Sequence, residues 1–220
     1  MAPLQHLTAV LGAAVAALGS VLLIAWKWHF CSTTRRGRPQ LQYPPLQPEK
    51  DSYDRQVLVL GLDGAGKSSI LHYMSTNTVK ESPAPTQGFN SLCVNTERFK
   101  IDLLEIGGSP NLRTYWNLYL SRAHVLLFVV DSADSKRFPL VRHELHRLLA
   151  EQPELPLIVL AHKQDQSDAL GASQIHQELA LHRLQRKRKF AVLATSIIWA
   201  ETATTKSIQD LKTLLTEFLS

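Results

Sequence analysis

The residues best suited to chemistry in this chain are Gly61-Leu62-Asp63-Gly64-Ala65-Gly66-Lys67-Ser68. They follow the apolar run Val57-Leu58-Val59-Leu60 and lead into Ser69-Ile70-Leu71-His72-Tyr73-Met74. Gly-x-x-x-x-Gly-Lys-Ser between a strand-like run and a helical pattern is the spacing of a phosphate-binding loop. Gly61, Gly64 and Gly66 admit backbone conformations closed to residues with a Cβ, so the N–H groups of Asp63, Gly64, Ala65, Gly66, Lys67, Ser68 and Ser69 can turn toward phosphate oxygens. The start of the following helix adds unpaired N–H groups and a positive dipole end. Lys67 is placed to meet the outer phosphates and the Ser68 hydroxyl to ligate Mg²⁺.

Such a loop needs a strand and a helix to hold it, and the chain supplies both in alternation. From Arg55 to Ser220 the pattern predicts strands near 55–60, 91–97, 100–106, 124–131, 156–161 and 190–195. Helices are predicted near 67–76, 111–120, 136–150, 173–181 and 206–219. His124 to Val130 and Leu157 to Ala161 are nearly continuous apolar runs, as expected of strands covered on both sides. The expected fold class is α/β: a six-stranded, mostly parallel sheet with helices on both faces, spanning residues 54–220. In such sheets the ligand sits in the loops after the strands.

The 220 residues have an ordinary globular balance, 45% hydrophobic and 20% charged, but the apolar content is uneven. Leu7 to Trp26 carries no charge and as a helix would reach about 30 Å, the thickness of a bilayer core. The alternatives are a cleaved signal peptide and a buried core helix. A signal peptide places basic residues before its apolar stretch, whereas Lys27, Arg35, Arg36 and Arg38 come after it, so residues 1–30 read as a single uncleaved spanning anchor. The same charges orient the remainder of the chain toward the cytosol, on the endoplasmic reticulum or the mitochondrial outer membrane, and Trp26 and Trp28 suit the interface. Gly12, Ala16 and Gly19 share a helical face, so weak helix-mediated pairing is open. Residues 31–53, with Pro39, Pro44, Pro45 and Pro48, read as a partly stiff linker. Cys31 is a candidate for S-acylation or a free thiol. The two cysteines form no disulfide framework, and the nine histidines show no metal spacing.

Further motifs fall after the expected strands: Pro85-Thr86-Gln87-Gly88-Phe89-Asn90, then Glu105-Ile106-Gly107-Gly108-Ser109, then His162-Lys163-Gln164-Asp165. With GLDGAGKSS, the spacing of Gly107, Gly108, Arg113, Trp116 and Tyr119, and VVDSAD, residues 55–220 resemble the ADP-ribosylation-factor-like small GTPases. The resemblance implies a P-loop small G-protein fold that binds GTP or GDP with Mg²⁺. It implies that Thr86 joins Ser68 on Mg²⁺, that Gly108 N–H touches the γ-phosphate, and that both loops are ordered by GTP and released after its loss. It also implies protein partners, an effector, an exchange factor and an activating protein, with Phe89, Leu104, Trp116 and Tyr119 on the effector surface; Phe89 and Tyr119 could equally be core. Family members carry a glycine after the initiator methionine for N-myristoylation. Ala2 stands there instead, and a spanning helix takes its place.

Three positions depart from the family. Ser109 replaces the glutamine that orients the attacking water, so unaided hydrolysis is expected to be very slow. Glu105 replaces an aspartate that reaches Mg²⁺ indirectly, through water. His162 replaces the asparagine of Asn-Lys-x-Asp, while Lys163 is retained to pack on the base and Asp165 to accept its N1 and N2 hydrogens. Ile197 stands in the last base-contacting loop, where alanine is usual.

Arg183, Arg186, Lys187, Arg188 and Lys189 form a basic run that reads as a solvated loop or a membrane-facing patch. No aromatic interleaving or reading motif indicates nucleic acid. The expectation is a membrane-anchored guanine-nucleotide switch with slow turnover. The rival is a degenerate GTPase that works as a nucleotide-locked or nucleotide-free scaffold. A P-loop kinase or ATPase is disfavoured by the positions of PTxGFN, Gly107-Gly108 and Lys163-x-Asp165.

Overall fold

The structure is a computed structural model and describes residues 54–79, 86–96, 99–184, 188–198 and 202–220. The anchor expected over 7–26, the linker over 31–53 and Cys31 lie outside the described residues. Among the described residues no helix is long and apolar enough to cross a membrane.

Six strands form one sheet: β1 (Asp54–Leu60), β2 (Phe89–Asn95), β3 (Lys100–Ile106), β4 (Val125–Asp131), β5 (Leu157–His162) and β6 (Phe190–Ala194). Their order is β2-β3-β1-β4-β5-β6, and only β2, antiparallel to β3, breaks the parallel arrangement. Val57 to Leu60 on β1 and Val125 to Val130 on β4 are buried on both faces, which explains their unbroken apolar sequence.

The helices are α1 (Lys67–Thr76), α2 (Pro110–Arg113), α3 (Trp116–Leu120), α4 (Phe138–Glu151), α5 (Ala172–Glu178) and α6 (Thr202–Leu219). Alternation along the strands sends Val57, Val59, Leu103, Leu127 and Val129 to one face, where they pack with Ile70, Leu71 and Met74 of α1 and Ile208, Leu211 and Leu215 of α6. On the opposite face Phe128 meets Trp116 of α3 edge-on, with ring centroids 6.1 Å apart. Fully burying side chains of this size contributes about 1.5–3 kcal/mol each, so the paired faces fix the sheet that carries the loops.

Two expectations are corrected. The single helix expected over 111–120 is broken between Arg113 and Trp116. Tyr115 N–H bonds Leu112 C=O and Leu118 N–H bonds Tyr115 C=O, tightening the chain into three-residue turns, and the Trp116 indole N–H donates to Gly107 C=O at 3.2 Å. Periodicity sees one amphipathic stripe; the buried indole and its partner decide the bend. The basic run is not uniformly a solvated loop or a patch either. Arg188 donates to the carbonyls of Leu149, Gln152 and Leu155, so it closes the C-terminal end of α4. Lys189 reaches Glu217 C=O at 2.7 Å.

Candidate functional site

The phosphate loop leaves β1 at Gly61 and enters α1 at Lys67. Gly66 has φ 95°, a left-handed conformation, and a Cβ there would lie 2.4 Å from Cδ2 of His162. Only glycine meets both conditions. Lys67 is 4% exposed, and its ammonium donates to Gly61 C=O and Leu62 C=O at 2.9 Å each. Burial lowers its pKa to about 8, partly offset by the Glu105 and Asp63 carboxylates. A buried ammonium hydrogen-bonded to two carbonyls at the centre of a glycine loop is a fit for an anionic ligand, which would restore its charge.

The two switch-like segments close onto this loop. Gly107 N–H donates to Gly88 C=O at 2.9 Å, joining the segment before β2 to the one after β3. A Cβ on Gly108 would fall 2.2 Å from the carbonyl carbon of Leu62 and 2.3 Å from the nitrogen of Asp63, so its backbone lies directly against the phosphate loop. Gly108, expected to touch the γ-phosphate, thus lies beside the loop expected to hold the other phosphates.

Ser68, Thr86 and Glu105 converge beside Lys67. The Ser68 and Thr86 hydroxyls are 2.7 Å apart, Ser68 donates to Glu105 Oε1 at 2.7 Å, and Thr86 donates to the same oxygen at 3.2 Å. Asn90 donates to Oε2 at 2.8 Å, and Glu105 is fully buried. Two hydroxyls and a carboxylate are a hard-oxygen set suited to Mg²⁺. At this position the extra methylene is expected to shift or displace the water between acid and metal, and the Glu105 carboxylate touches both hydroxyls.

Two arginines to which residue spacing assigns no role complete the mouth of the loop. Arg113 donates to Gly108 C=O at 2.8 Å and stands 3.6 Å from the Asp63 carboxylate and 3.9 Å from that of Glu144. Arg137 donates to Asp63 C=O at 2.9 Å and is paired with Asp134. The signal for Arg113 was its fixed distance from Gly107-Gly108; the contact from Arg137 to Asp63 crosses too much chain to leave one.

At the far end, His162 is 3% exposed, and its Nδ1 and Thr195 Oγ1 are hydrogen-bonded at 2.9 Å. Burial pushes its pKa down to about 4, so the ring is neutral near pH 7. Lys163, at φ 65°, donates to Asp131 at 2.6 Å. Asp165 is exposed and has no side-chain partner among the described residues, so its carboxylate is free to accept hydrogens from a base. Ile197, expected in the last base-contacting loop, is half-buried and packs against the hydrophobic core.

The residues expected on the effector surface lie mostly inward. Trp116 is fully buried, and Leu104 and Tyr119 are buried at 5% and 4% exposure; half-buried Phe89 stacks on Tyr119 with centroids 5.4 Å apart. Leu118, at 52% exposure, is the large apolar side chain that this region presents. It sits beside the aromatics in sequence but points outward, because the break after Arg113 turns Trp116 inward.

Residues 47–214 match the model of the ADP-ribosylation factor family. The chain belongs to that family. It is 45% identical to ADP-ribosylation factor-like protein 9 of Homo sapiens over 177 residues, covering 80% of this chain and 93% of that protein. It is 41% identical to ADP-ribosylation factor-like protein 10 of Mus musculus over 219 residues, 89% of this chain and 88% of that one. Among solved structures, the Arl6 (BBS3) small GTPase of Trypanosoma brucei with bound GppNp covers 76% of this chain and 99% of its own at TM-score 0.62 and 24% identity. The mammalian SRP receptor covers 74% and 100% at TM-score 0.63 and 23% identity. At those identities the two structures speak for the P-loop GTPase fold alone.

In an ADP-ribosylation-factor-like GTP-binding switch protein, the phosphate loop, Lys67 and Gly108 would hold the phosphates, Ser68, Thr86 and Glu105 the Mg²⁺, and Lys163 and Asp165 the guanine. Mg²⁺, when bound, supplies positive charge against the phosphate oxygens. Ser109 caps α2, its C=O accepting from Leu112 and Arg113 N–H, and its side chain lacks the amide that would orient a water.

Proposed function

We propose that this chain is a membrane-anchored guanine-nucleotide switch that presents GTP-ordered loops to protein effectors and hydrolyses GTP slowly unless a partner assists. The observation that carries the reading is the bond from Gly107 N–H to Gly88 C=O, with Gly108 against the phosphate loop and Thr86 against Ser68. Two loops that share a bond and a ligand set are ordered or released together, and that coupling is what a nucleotide switch needs. The free carboxylate of Asp165 supports guanine, because adenine lacks the paired donors it would accept. Ser109 supports slow turnover, with an exchange factor and an activating protein as the partners that would drive the cycle.

The anchoring part rests on Leu7 to Trp26 and the basic residues after it, which orient the domain to the cytosol at the endoplasmic reticulum or mitochondrial outer membrane. Protease added outside intact organelles is expected to digest the domain and spare the anchor; protection of the domain would reverse the orientation. Acylation of Cys31 would add a second membrane signal, read by hydroxylamine-sensitive labelling.

The test of function is binding of GDP, GTP and ATP to the full chain in detergent, with and without Mg²⁺, followed by turnover. Micromolar or tighter guanine binding that ATP does not compete supports the switch. Ser109→Gln is then expected to raise hydrolysis in the presence of an activating partner. No detectable nucleotide binding supports the second reading, a scaffold, which is favoured by the departures at Ser109, Glu105 and His162.

A further inference from the structure

The three oxygens beside Lys67 carry more than a resemblance. Ser68 Oγ, Thr86 Oγ1 and Glu105 Oε1 form a triangle with edges of 2.7, 2.7 and 3.2 Å. Adjacent ligands of an octahedral Mg²⁺, each 2.0–2.1 Å from the ion, are about 2.9 Å apart. A point about 2.05 Å from all three oxygens exists roughly 1.2 Å above their plane, the height of the centre over one face of a regular octahedron. The second observation is electrostatic. Glu105 is fully buried and forms no ion pair within contact distance among the described residues; the Lys67 ammonium, which donates to the Gly61 and Leu62 carbonyls, acts on it through space alone. A buried carboxylate in that setting calls for a cation. Asn90, by holding Oε2 at 2.8 Å, aims Oε1 at the two hydroxyls.

We infer that Glu105 is a direct ligand of the bound divalent cation, which makes a complete Ser68–Thr86–Glu105 face where the family-based expectation has two hydroxyls and an acid acting through water. The inference rests on the guanine-nucleotide reading above. Its consequence is that the cation is held by protein charge as well as by phosphate, with one fewer water in its shell. Asn90 is a positioning residue for that face.

The experiment uses the full chain in detergent, loaded with Mn²⁺ and a non-hydrolysable GTP analogue, and counts metal-bound waters from ¹⁷O-water broadening of the Mn²⁺ resonance. With two phosphate oxygens and three protein ligands, about one water is expected in the native protein; with Glu105→Asp, too short to reach, about two. A native count of two waters overturns the direct ligand while leaving the nucleotide reading intact. If Glu105→Asp does not fold, the native count alone decides. Failure of the native protein to form any Mn²⁺–nucleotide complex, with the chain folded by circular dichroism, overturns both the inference and the nucleotide reading.

Discussion

The two ends of the nucleotide groove have absorbed their unusual residues in opposite ways. At the phosphate end, Glu105 uses its extra methylene to enter a cluster in which both of its oxygens are engaged, by Ser68, Thr86 and Asn90. At the base end, His162 fills space: its neutral ring lies against Gly66 and bonds Thr195, while Asp165 next door stays open. A longer acid among hydroxyls adds contacts, whereas a ring in place of a small amide adds bulk and removes an amide that could face the ligand. On the proposed reading, the phosphate end would hold the ligand and the base end would discriminate through a single carboxylate.

The sharpest way to break this contrast is to disarm the phosphate end. Lys67→Ala removes the buried ammonium and is expected to weaken GDP binding roughly 100- to 1000-fold, about 3–4 kcal/mol, in a fluorescent-nucleotide titration. A loss under tenfold would mean that the base end carries the affinity after all.

His162 provides the next largest effect, on stability. Its folded pKa of about 4 lies below the ordinary 6.5, so the unfolded chain takes up a proton first as pH falls. The native protein should lose roughly 3 kcal/mol between pH 6.5 and pH 4, and lose no more from this group below that. His162→Asn should flatten that part of the pH profile in urea unfolding; an unchanged profile would show the ring to be solvated.

Asp165→Ala is expected to cost about 1.5–2 kcal/mol in GDP affinity, roughly tenfold to thirtyfold, and to erase the preference over ADP. Equal loss for both nucleotides would remove Asp165 from base recognition. The smallest effect is a proton. With Lys67 at a pKa of about 8, phosphate binding that restores its full charge takes up about half a proton at pH 8. Calorimetry in two buffers of different ionisation heat reads this directly. In the nucleotide-free protein the sign is opposite to that of a stabilising ion pair, since stability rises with pH between about 8 and 10.5 as the unfolded chain holds the proton longer.

Much of the fold was legible because its signals are local. The runs at Val57 to Leu60 and Leu157 to Ala161 marked buried strands, and the glycines before Lys67 marked the phosphate loop. The missed features depend on distant partners. The break after Arg113 exists because Trp116 finds Gly107 and Phe128. Arg188 looked like part of a charge run because the carbonyls it caps belong to the end of another helix. The inward placing of Trp116 and Tyr119 was open because sequence spacing does not say which face of a short, broken helix is covered.

By itself, the sequence determined the strand order's ingredients, the phosphate loop, Thr86, Gly108 and Asp165 as candidate site residues, and the absence of a glutamine at Ser109. These follow from residue type and spacing, which fix backbone freedom, charge and donor chemistry wherever the chain goes. Only the tertiary structure decided that Glu105 reaches both Ser68 and Thr86, that His162 packs under Gly66, and that Arg113 and Arg137 meet at Asp63. Each is a matter of about an ångström between segments far apart in the chain, and such distances are set by how the sheet and its helices pack.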